Sequence, residues 1–143
     1  GRFCCYEWAV TKKYDPSNPR HVELKEGIEL GNSLPDVNTI EDITQSMSDA
    51  GFVIEEVRDV AEDTVVPWYE PFQPKYTPSG FKTTMLGIKL TNLAVRAMEV
   101  VRIAPAGSAK MHSNLSVGAM TLYHAGLEGI FTPMLLMVGR KPE

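Results

Sequence analysis

The sequence is poor in the features that mark several classes of protein. Its 143 residues contain two cysteines, the neighbours Cys4 and Cys5, and only 14 Lys or Arg against 18 Asp or Glu. Neighbouring side chains on a strand point to opposite faces, so a disulfide between these cysteines is geometrically awkward and a reducing compartment is favoured. A net charge of -4 provides no basic surface for nucleic acid, and we expect no nucleic-acid partner.

Long apolar runs and common catalytic motifs are also missing. The longest apolar run, Met134 to Val138, is far shorter than the roughly 20 residues that span a bilayer. The sequence has no glycine-rich phosphate loop, no paired-cysteine zinc pattern and no serine nucleophile elbow. Its histidines, His21, His112 and His124, lack ligand spacing, so we expect no metal site. The sequence therefore predicts a protein that is soluble or lies on a membrane surface.

The chain has the length of one ordinary domain. It is long enough to bury a core but too short for a complete nucleotide-binding enzyme with a substrate cap. It starts at Gly1, without an initiator Met, inside a segment with the pattern of a strand. We therefore expect it to be part of a longer chain.

The first residues combine an apolar run with two aromatic residues and a carboxylate. Gly1 to Cys5 has the pattern of a buried strand, and Tyr6, Glu7 and Trp8 follow at its carboxyl end. In open α/β sheets, ligands bind outside this end of the strands, so Glu7 could lie in an apolar pocket. Strand alternation favours another interpretation, in which Tyr6 and Trp8 are core residues and Glu7 points to solvent.

Apolar periodicity, together with residues that end helices, predicts the remaining helices and strands. Gly31 with Asn32, Gly51, and Gly126 to Gly129 are placed where they could end helices. The predicted helices are Pro19 to Leu30, a helix after Thr39 with Ile40, Ile43 and Met47 facing inward, Phe81 to Arg102, and Ser108 to Ala125. The predicted strands are Phe52 to Val57 and Ile130 to Gly139, and Ala61 to Val65 is predicted to be a loop.

The middle of the chain has an unusual composition. Pro67 to Pro78 contains four prolines and four aromatic residues, which excludes a regular helix or a central strand. It is either a proline-stiffened linker or the wall of an apolar pocket. In the helix that follows, Lys82, Lys89 and Arg96 recur every seven residues opposite an apolar stripe, which fits either membrane-surface attachment or a solvated face. The stripe consists of Leu86, Leu90, Leu93, Ala97 and Val101.

A series of short motifs, taken in order, resembles the carboxyl-terminal part of sterol 24-C-methyltransferases. The resemblance spans essentially the whole chain. The motifs are Tyr6-Glu7-Trp8 with Thr11, Tyr14 and Asp15, Ile28 to Asn32 before Leu34-Pro35, Ala50-Gly51-Phe52, Asp59, Pro67-Trp68-Tyr69, Ala104-Pro105 with Gly107, and Phe131 to Met134 before Arg140-Lys141-Pro142.

The resemblance implies an α/β fold that is the C-terminal part of a class I, Rossmann-like S-adenosylmethionine-dependent methyltransferase. A helical sterol-binding insertion would precede the last strand. Residues 1-66 would form late strands and helices of the core, residues 67-129 the sterol-facing aromatic loop and helical cap, and residues 130-143 the last strand. Gly1 to Val10 would be the fifth strand, with Phe52 to Val57 and Phe131 to Gly139 pairing antiparallel at the sheet edge.

The same resemblance implies a chemistry and a set of site residues. The sterol side-chain double bond accepts a methyl group, and the resulting carbocation must be sheltered and then lose a proton. Glu7, Glu29 and Tyr6 are the implied catalytic residues, and Asp15 and Asp59 are expected to be structural. The implied substrate-binding residues, expected to share one ring-lined chamber with the catalytic ones, are Trp8, Tyr14, Trp68, Tyr69 and Phe131.

The resemblance also implies partners and a location. S-adenosylmethionine would be bound mainly by an absent N-terminal half, so its binding residues are not assigned and this chain alone is expected to be inactive. The other expected partners are a sterol, a peripheral membrane contact at the cytoplasmic face of the endoplasmic reticulum or a lipid droplet, and a second copy in a homo-oligomer. The alternatives are a non-catalytic lipid-binding module and a methyltransferase for another small substrate.

Overall fold

The computed structural model describes residues 1-77 and 80-142, and of Lys82 only the backbone. Pro78, the last residue of the predicted aromatic loop, therefore lies outside the described residues, and so does Glu143. The described residues form three strands, four α-helices and three short 3-10 turns. These are β1 (Arg2–Val10), α1 (Pro19–Asn32), α2 (Ile40–Asp49), β2 (Val53–Asp59), the turns Val60–Asp63, Glu70–Phe72 and Phe81–Thr83, α3 (Met85–Val100), α4 (Ser108–Glu128) and β3 (Phe131–Arg140).

The described residues form a mixed α/β domain, and its three strands make one antiparallel sheet. The order is β1-β3-β2, so β3 pairs antiparallel with both neighbours. Met137 of β3, for example, lies opposite Cys5 of β1 and Val57 of β2. A central strand covered on both faces needs apolar residues at successive positions, which is the pattern of β3. The predicted antiparallel pairing of residues 52-57 with 131-139 is confirmed.

The sheet separates two apolar clusters. Val10 and Phe131 pack on one side with Leu24 of α1 and Leu122 of α4. Ala9, Leu135 and Met137 pack on the other side with Met47 of α2. Ala9 and Val10 belong to different clusters because neighbouring residues of a strand point to opposite faces. Within the described residues, no helix is long and apolar enough to cross a membrane.

Helices α1 and α4 approach each other at glycines. A Cβ atom on Gly31 would lie 2.2 Å from the Cα of Gly118, and one on Gly27 would lie 2.4 Å from Thr121 Cγ2. The prediction that Gly31 ends its helix was wrong. Helix α1 continues to Asn32, and Ser33, in the left-handed region with φ 53°, provides the cap. Gly31 is used for a close backbone approach instead.

The other predicted helix ends also required correction. Helix α4 runs past the predicted end at Ala125 to Glu128, and within the predicted stop, Gly126 to Gly129, it is Gly129, with φ 69°, that forms the left-handed cap. The predicted helix from Phe81 to Arg102 is broken, since the Thr84 hydroxyl accepts a hydrogen bond from the Gly87 amide and starts α3 there. The predicted loop from 61 to 65 is partly a 3-10 turn, Val60–Asp63, capped by Asp59.

We expect replacement of Gly31 by alanine to destabilise the fold. Alanine is favoured over glycine in a helix by about 1 kcal/mol, but overpacking a tight contact costs about 1 to 3 kcal/mol. Here the neighbouring atom is the Gly118 backbone, which cannot rotate away. Urea unfolding should therefore show a net loss of up to about 2 kcal/mol.

The matched control is Ser113→Ala, at an exposed position of α4. It should change the free energy of unfolding by less than about 0.5 kcal/mol. A Gly31→Ala protein more stable than the unmodified chain would contradict the close contact.

Candidate functional site

The main cavity lies at one end of the sheet and has a volume of about 940 Å³. It forms where the ends of β1 and β2 meet the first turn of α2 and the aromatic segment 67-69. Phe131 and Leu135 of β3 line it together with Trp68 and Tyr69. Charged side chains line it as well, namely Lys12, Lys13, Glu41, Arg58, Asp59 and Glu62.

Aromatic rings form a continuous cluster along this cavity. The Phe131 ring centroid lies 5.4 Å from that of Trp8 and 5.7 Å from that of Trp68. The Tyr69 ring lies 5.5 Å from that of Trp68, at 88°, and 6.2 Å from that of Tyr123. These edge-to-face arrangements are the favoured geometry for aromatic pairs. The structure therefore brings together four of the five predicted substrate-binding residues, and three of them line the cavity.

Glycine in α4 allows Tyr69 to occupy this place. A Cβ atom on Gly126 would lie 2.2 Å from Tyr69 Cδ1. Tyr69 is followed by the turn Glu70–Phe72, and an ion pair between Lys75 and Glu70 closes the segment after the turn. The proline-rich segment is thus held against α4, as a pocket wall requires.

Glu7 lines a second, smaller cavity of about 190 Å³. Trp8 lines this cavity too, so it connects Glu7 with Phe131 and the main cavity. The opposite wall comes from the segment 34-38 and from Ile43 of α2. The Glu7 side chain is exposed to solvent, as strand alternation favours, but Tyr6 is exposed too, so the core position that alternation predicted for Tyr6 was wrong.

The Glu29 carboxylate is hydrogen-bonded to the same segment 34-38. Its Oε1 accepts hydrogen bonds from Lys25 Nζ at 2.6 Å and from the Val37 amide at 2.7 Å. Lys25 also donates to Asp36. Desolvation opposes the charged form of Lys25, but these carboxylates outweigh it and raise the Lys25 pKa. The hydrogen bond from Lys25, and then its charge, lower the pKa of Asp36.

The remaining predicted site residues lie elsewhere. Tyr6 is 59% exposed on β1 and lines neither of these two cavities. Tyr14 stacks on His21, with ring centroids 6.2 Å apart, and packs against the apolar cluster of α1 and α4. The structure does not bring Tyr6, Glu29 and Trp68 into one chamber. Their roles in catalysis stay predictions.

Several residues near the main cavity were not singled out from the sequence. Tyr123 extends the ring cluster, but α4 offers no motif around it. Lys12 and Glu41 face each other across the cavity edge, with 3.9 Å between Nζ and Oε1. Charged residues immediately after β1 and at the start of α2 were the available signal.

Asp59 Oδ1 accepts hydrogen bonds from Thr132 Oγ1 at 2.7 Å and from the Ala61 amide at 2.9 Å, which is a structural arrangement.

Comparison with known proteins defines the class. Residues 79–143 match the family described as Sterol methyltransferase C-terminal. Cycloartenol-C-24-methyltransferase 1 of Oryza sativa subsp. japonica is 41% identical over 98% of this chain and 41% of its own length. The Arabidopsis thaliana cycloartenol-C-24-methyltransferase is 37% identical over 99% of this chain and 42% of its own length. Sterol 24-C-methyltransferase ERG6 of Saccharomyces cerevisiae is 36% identical over 100% of this chain and 40% of its own length.

The chain therefore contains a sterol methyltransferase C-terminal region. Over its whole length it is related to the sterol 24-C-methyltransferases, at 41% identity to the rice protein and 36% to the yeast protein. This confirms the resemblance found in the sequence. The chain spans about two fifths of the length of these curated relatives.

Sterol methyltransferases use S-adenosylmethionine as methyl donor, so its fit to the described residues can be tested. An adenosine-binding turn of a doubly wound sheet uses glycines to let the ligand approach the backbone at a helix N-terminus. The turn between β1 and α1, residues 11-18, contains no glycine. The first turn of α1 is already capped, because Asn18 Oδ1 accepts a hydrogen bond from the Arg20 amide. The described residues do not fit an adenosine site here.

We expect Gly126→Ala to reshape the main cavity. The added methyl group would overlap the Tyr69 ring and displace it from α4, which disturbs the neighbouring Trp68. Tryptophan fluorescence should shift, and stability should fall by about 1 to 3 kcal/mol. Ala119→Gly removes a methyl group elsewhere on α4 and serves as the control for helix propensity. An unchanged emission spectrum in Gly126→Ala would contradict the contact.

Asp36→Asn should reduce the acid sensitivity of the fold. Because the folded-state pKa of Asp36 is lowered, its contribution is present above the unfolded value of about 3.9 and is lost as the pH falls through the folded value. Urea unfolding across the acid range should show a shallower loss of stability in the variant. Glu26→Gln, on the exposed side of α1, is the control. Equal slopes for Asp36→Asn and the unmodified chain would contradict the ion pair with Lys25.

Proposed function

We propose that this chain is the sterol-binding part of an S-adenosylmethionine-dependent sterol 24-C-methyltransferase. The full-length protein would transfer a methyl group to the sterol side-chain double bond in sterol biosynthesis. The observation that carries the proposal is the ring-lined cavity in a chain similar, throughout its length, to methyltransferases named for cycloartenol and sterols. Its volume of about 940 Å³ is at the upper end of the range for ligand pockets.

The rings around the cavity suit a reaction that passes through a cation. The donor supplies a methyl group, and the sterol then carries positive charge on its side chain. Trp68, Tyr69 and Phe131 present aromatic surface to the cavity. An aromatic face stabilises a cation by about 0.5 to 2 kcal/mol, most where water is excluded. These rings would lower the energy of the charged intermediate more than that of the neutral sterol, which accelerates the reaction.

A carboxylate must then accept the proton. We propose Glu7 rather than Glu29 for this step, because both hydrogen bonds to Glu29 Oε1 tie it to Lys25 and to Val37. Glu7 adjoins the ring cluster through Trp8. In this proposal Glu29 positions the segment 34-38, which forms the wall opposite Glu7. Tyr6 and Tyr14 line neither cavity, and the proposal assigns them no step.

The strand order supports the proposed class I architecture. The last strand of the chain, β3, pairs antiparallel with β1 and β2. The resemblance implies antiparallel pairing of β2 and β3 at the edge of a class I sheet. Residues 67-129 would be the sterol-facing insertion, between core residues 1-66 and the last strand at 130-143. We also propose a peripheral membrane contact at the endoplasmic reticulum or a lipid droplet, and a homo-oligomer.

Replacing Trp68 by leucine in the full-length enzyme should lower kcat about tenfold. A tenfold decrease corresponds to a loss of roughly 1.4 kcal/mol of cation stabilisation. The KM for the sterol should change less, because the ring acts mainly once positive charge develops. Steady-state kinetics with a sterol substrate measures both. Tyr76→Leu, at a residue that is 88% exposed, is the control and should change neither. Equal losses in kcat and in sterol affinity would argue for packing alone.

Glu7→Gln separates the two candidate bases. Loss of proton acceptance should reduce turnover and change the product pattern, while sterol binding is retained. Glu29→Gln keeps the acceptor oxygen for the Val37 amide and should reduce turnover less. Product analysis by gas chromatography checks both variants. Unchanged turnover and products in Glu7→Gln would remove Glu7 from the mechanism.

A further inference from the structure

Two polar side chains of α3, Asn92 and Glu99, face α4. Asn92 Nδ2 donates to the Ala109 carbonyl of α4 at 3.2 Å. The Glu99 carboxylate accepts a hydrogen bond from the Ala109 amide at 3.1 Å. Gly107, the residue before α4, has no side chain to cap the helix, so Glu99 satisfies one of its free amides. Asn92 and Glu99 are therefore used in the contact between the two helices.

The opposite side of α3 is apolar and exposed. Leu93 is 65% exposed and Val100 is 83% exposed. At 100° per residue these side chains share one side of the helix with the rest of a set that we call the outer face of α3. The outer face consists of Leu86, Leu90, Leu93, Ala97 and Val100, all of them exposed. The apolar stripe expected from the sequence thus points away from the core.

The apolar surface continues beyond α3. Val101 and Ile103, in the connection to α4, are exposed, as are Met111 and Leu115 of α4. Contiguous apolar patches of this kind mark surfaces that bind another molecule or a membrane. Isolated exposed apolar residues need no such explanation, but this series occupies one helical hairpin.

The hairpin also differs in charge from the rest of the chain. Residues 81-117 contain five Lys or Arg and one Asp or Glu, so their formal charge is +4, while the remaining residues carry -8. The one acidic residue is Glu99, whose carboxylate is already bound at the start of α4. Lys89 and Arg96 are exposed and lie together along one edge of the outer face. Apolar surface and positive charge therefore coincide in a protein that is acidic overall.

We propose that the hairpin of α3 and α4 docks on an anionic phospholipid surface, with the outer face of α3 inserted at the level of the headgroups. Apolar residues bordered by Lys and Arg are the composition of helices that lie in a membrane interface. A second copy fits less well, because two hairpins of charge +4 would face each other. The proposal gives the peripheral contact proposed above a definite surface. It rests on that contact and is independent of methyl transfer.

Flotation of the chain with lipid vesicles tests this surface without donor or sterol. Binding to phosphatidylcholine vesicles should increase when phosphatidylserine is included, and salt should weaken it. The double variant Lys89→Glu with Arg96→Glu should bind the anionic vesicles at least tenfold more weakly. Leu90→Asp with Leu93→Asp should reduce binding at least tenfold as well, because the inserted apolar area is lost. These side chains are exposed, so the variants should retain the circular dichroism of the unmodified chain.

Matched substitutions on other surfaces are the controls. Val65→Asp changes a residue that is 99% exposed, and Lys141→Glu changes an exposed basic residue outside the hairpin. Both should bind vesicles like the unmodified chain. Equal weakening by the control and hairpin variants would overturn the proposal, as would failure to bind anionic vesicles. Light scattering that shows a dimer, abolished by Leu90→Asp with Leu93→Asp while vesicle binding persists, would assign the face to a second copy instead.

Discussion

The close contact between α1 and α4 is the constraint on which the rest of the structure depends. Gly31 and Gly118 meet backbone to backbone, and this lets Leu24, Ile28 and Leu122 close the apolar cluster over the sheet. Helix α4 is the only long element that connects the sheet with the hairpin of α3 among the described residues. Its position therefore determines both where the aromatic segment can pack and where the outer face of α3 points.

The proposed reaction site depends on this packing indirectly, through the position of α4. Because Gly126 leaves room for Tyr69, residues 67-69 lie against α4 and meet Phe131 at the start of β3. The rings then form one wall of the cavity, while charged residues from the loop after β1, from β2 and the turn after it, and from α2 form its other parts. The ring-lined wall and the charged parts of the cavity are thus produced by the same arrangement of a central strand and one helix.

The outer face of α3 illustrates how far a hydrophobic pattern can be interpreted. Periodicity correctly identified an apolar stripe, but Lys89 and Arg96 lie along one edge of that stripe and not opposite it. It could not indicate which side faces the protein, because helix packing here uses Asn92 and Glu99 rather than the leucines. Two proposed sites lie at opposite ends of α4, namely the ring-lined cavity near the sheet and the exposed apolar face of the hairpin.

The sequence alone determined the class of the protein, the identity of all three strands and the approximate extent of α1, α2 and α4, because apolar periodicity and the ordered motifs are local properties. It also predicted that Trp68, Tyr69 and Phe131 belong together. Only the tertiary structure decided that Gly31 and Gly126 serve close contacts rather than helix ends, since this depends on what lies opposite each glycine. It likewise separated Glu29 and Tyr6 from the main cavity, because the direction of a side chain is set by the elements packed around it and not by its neighbours in the chain.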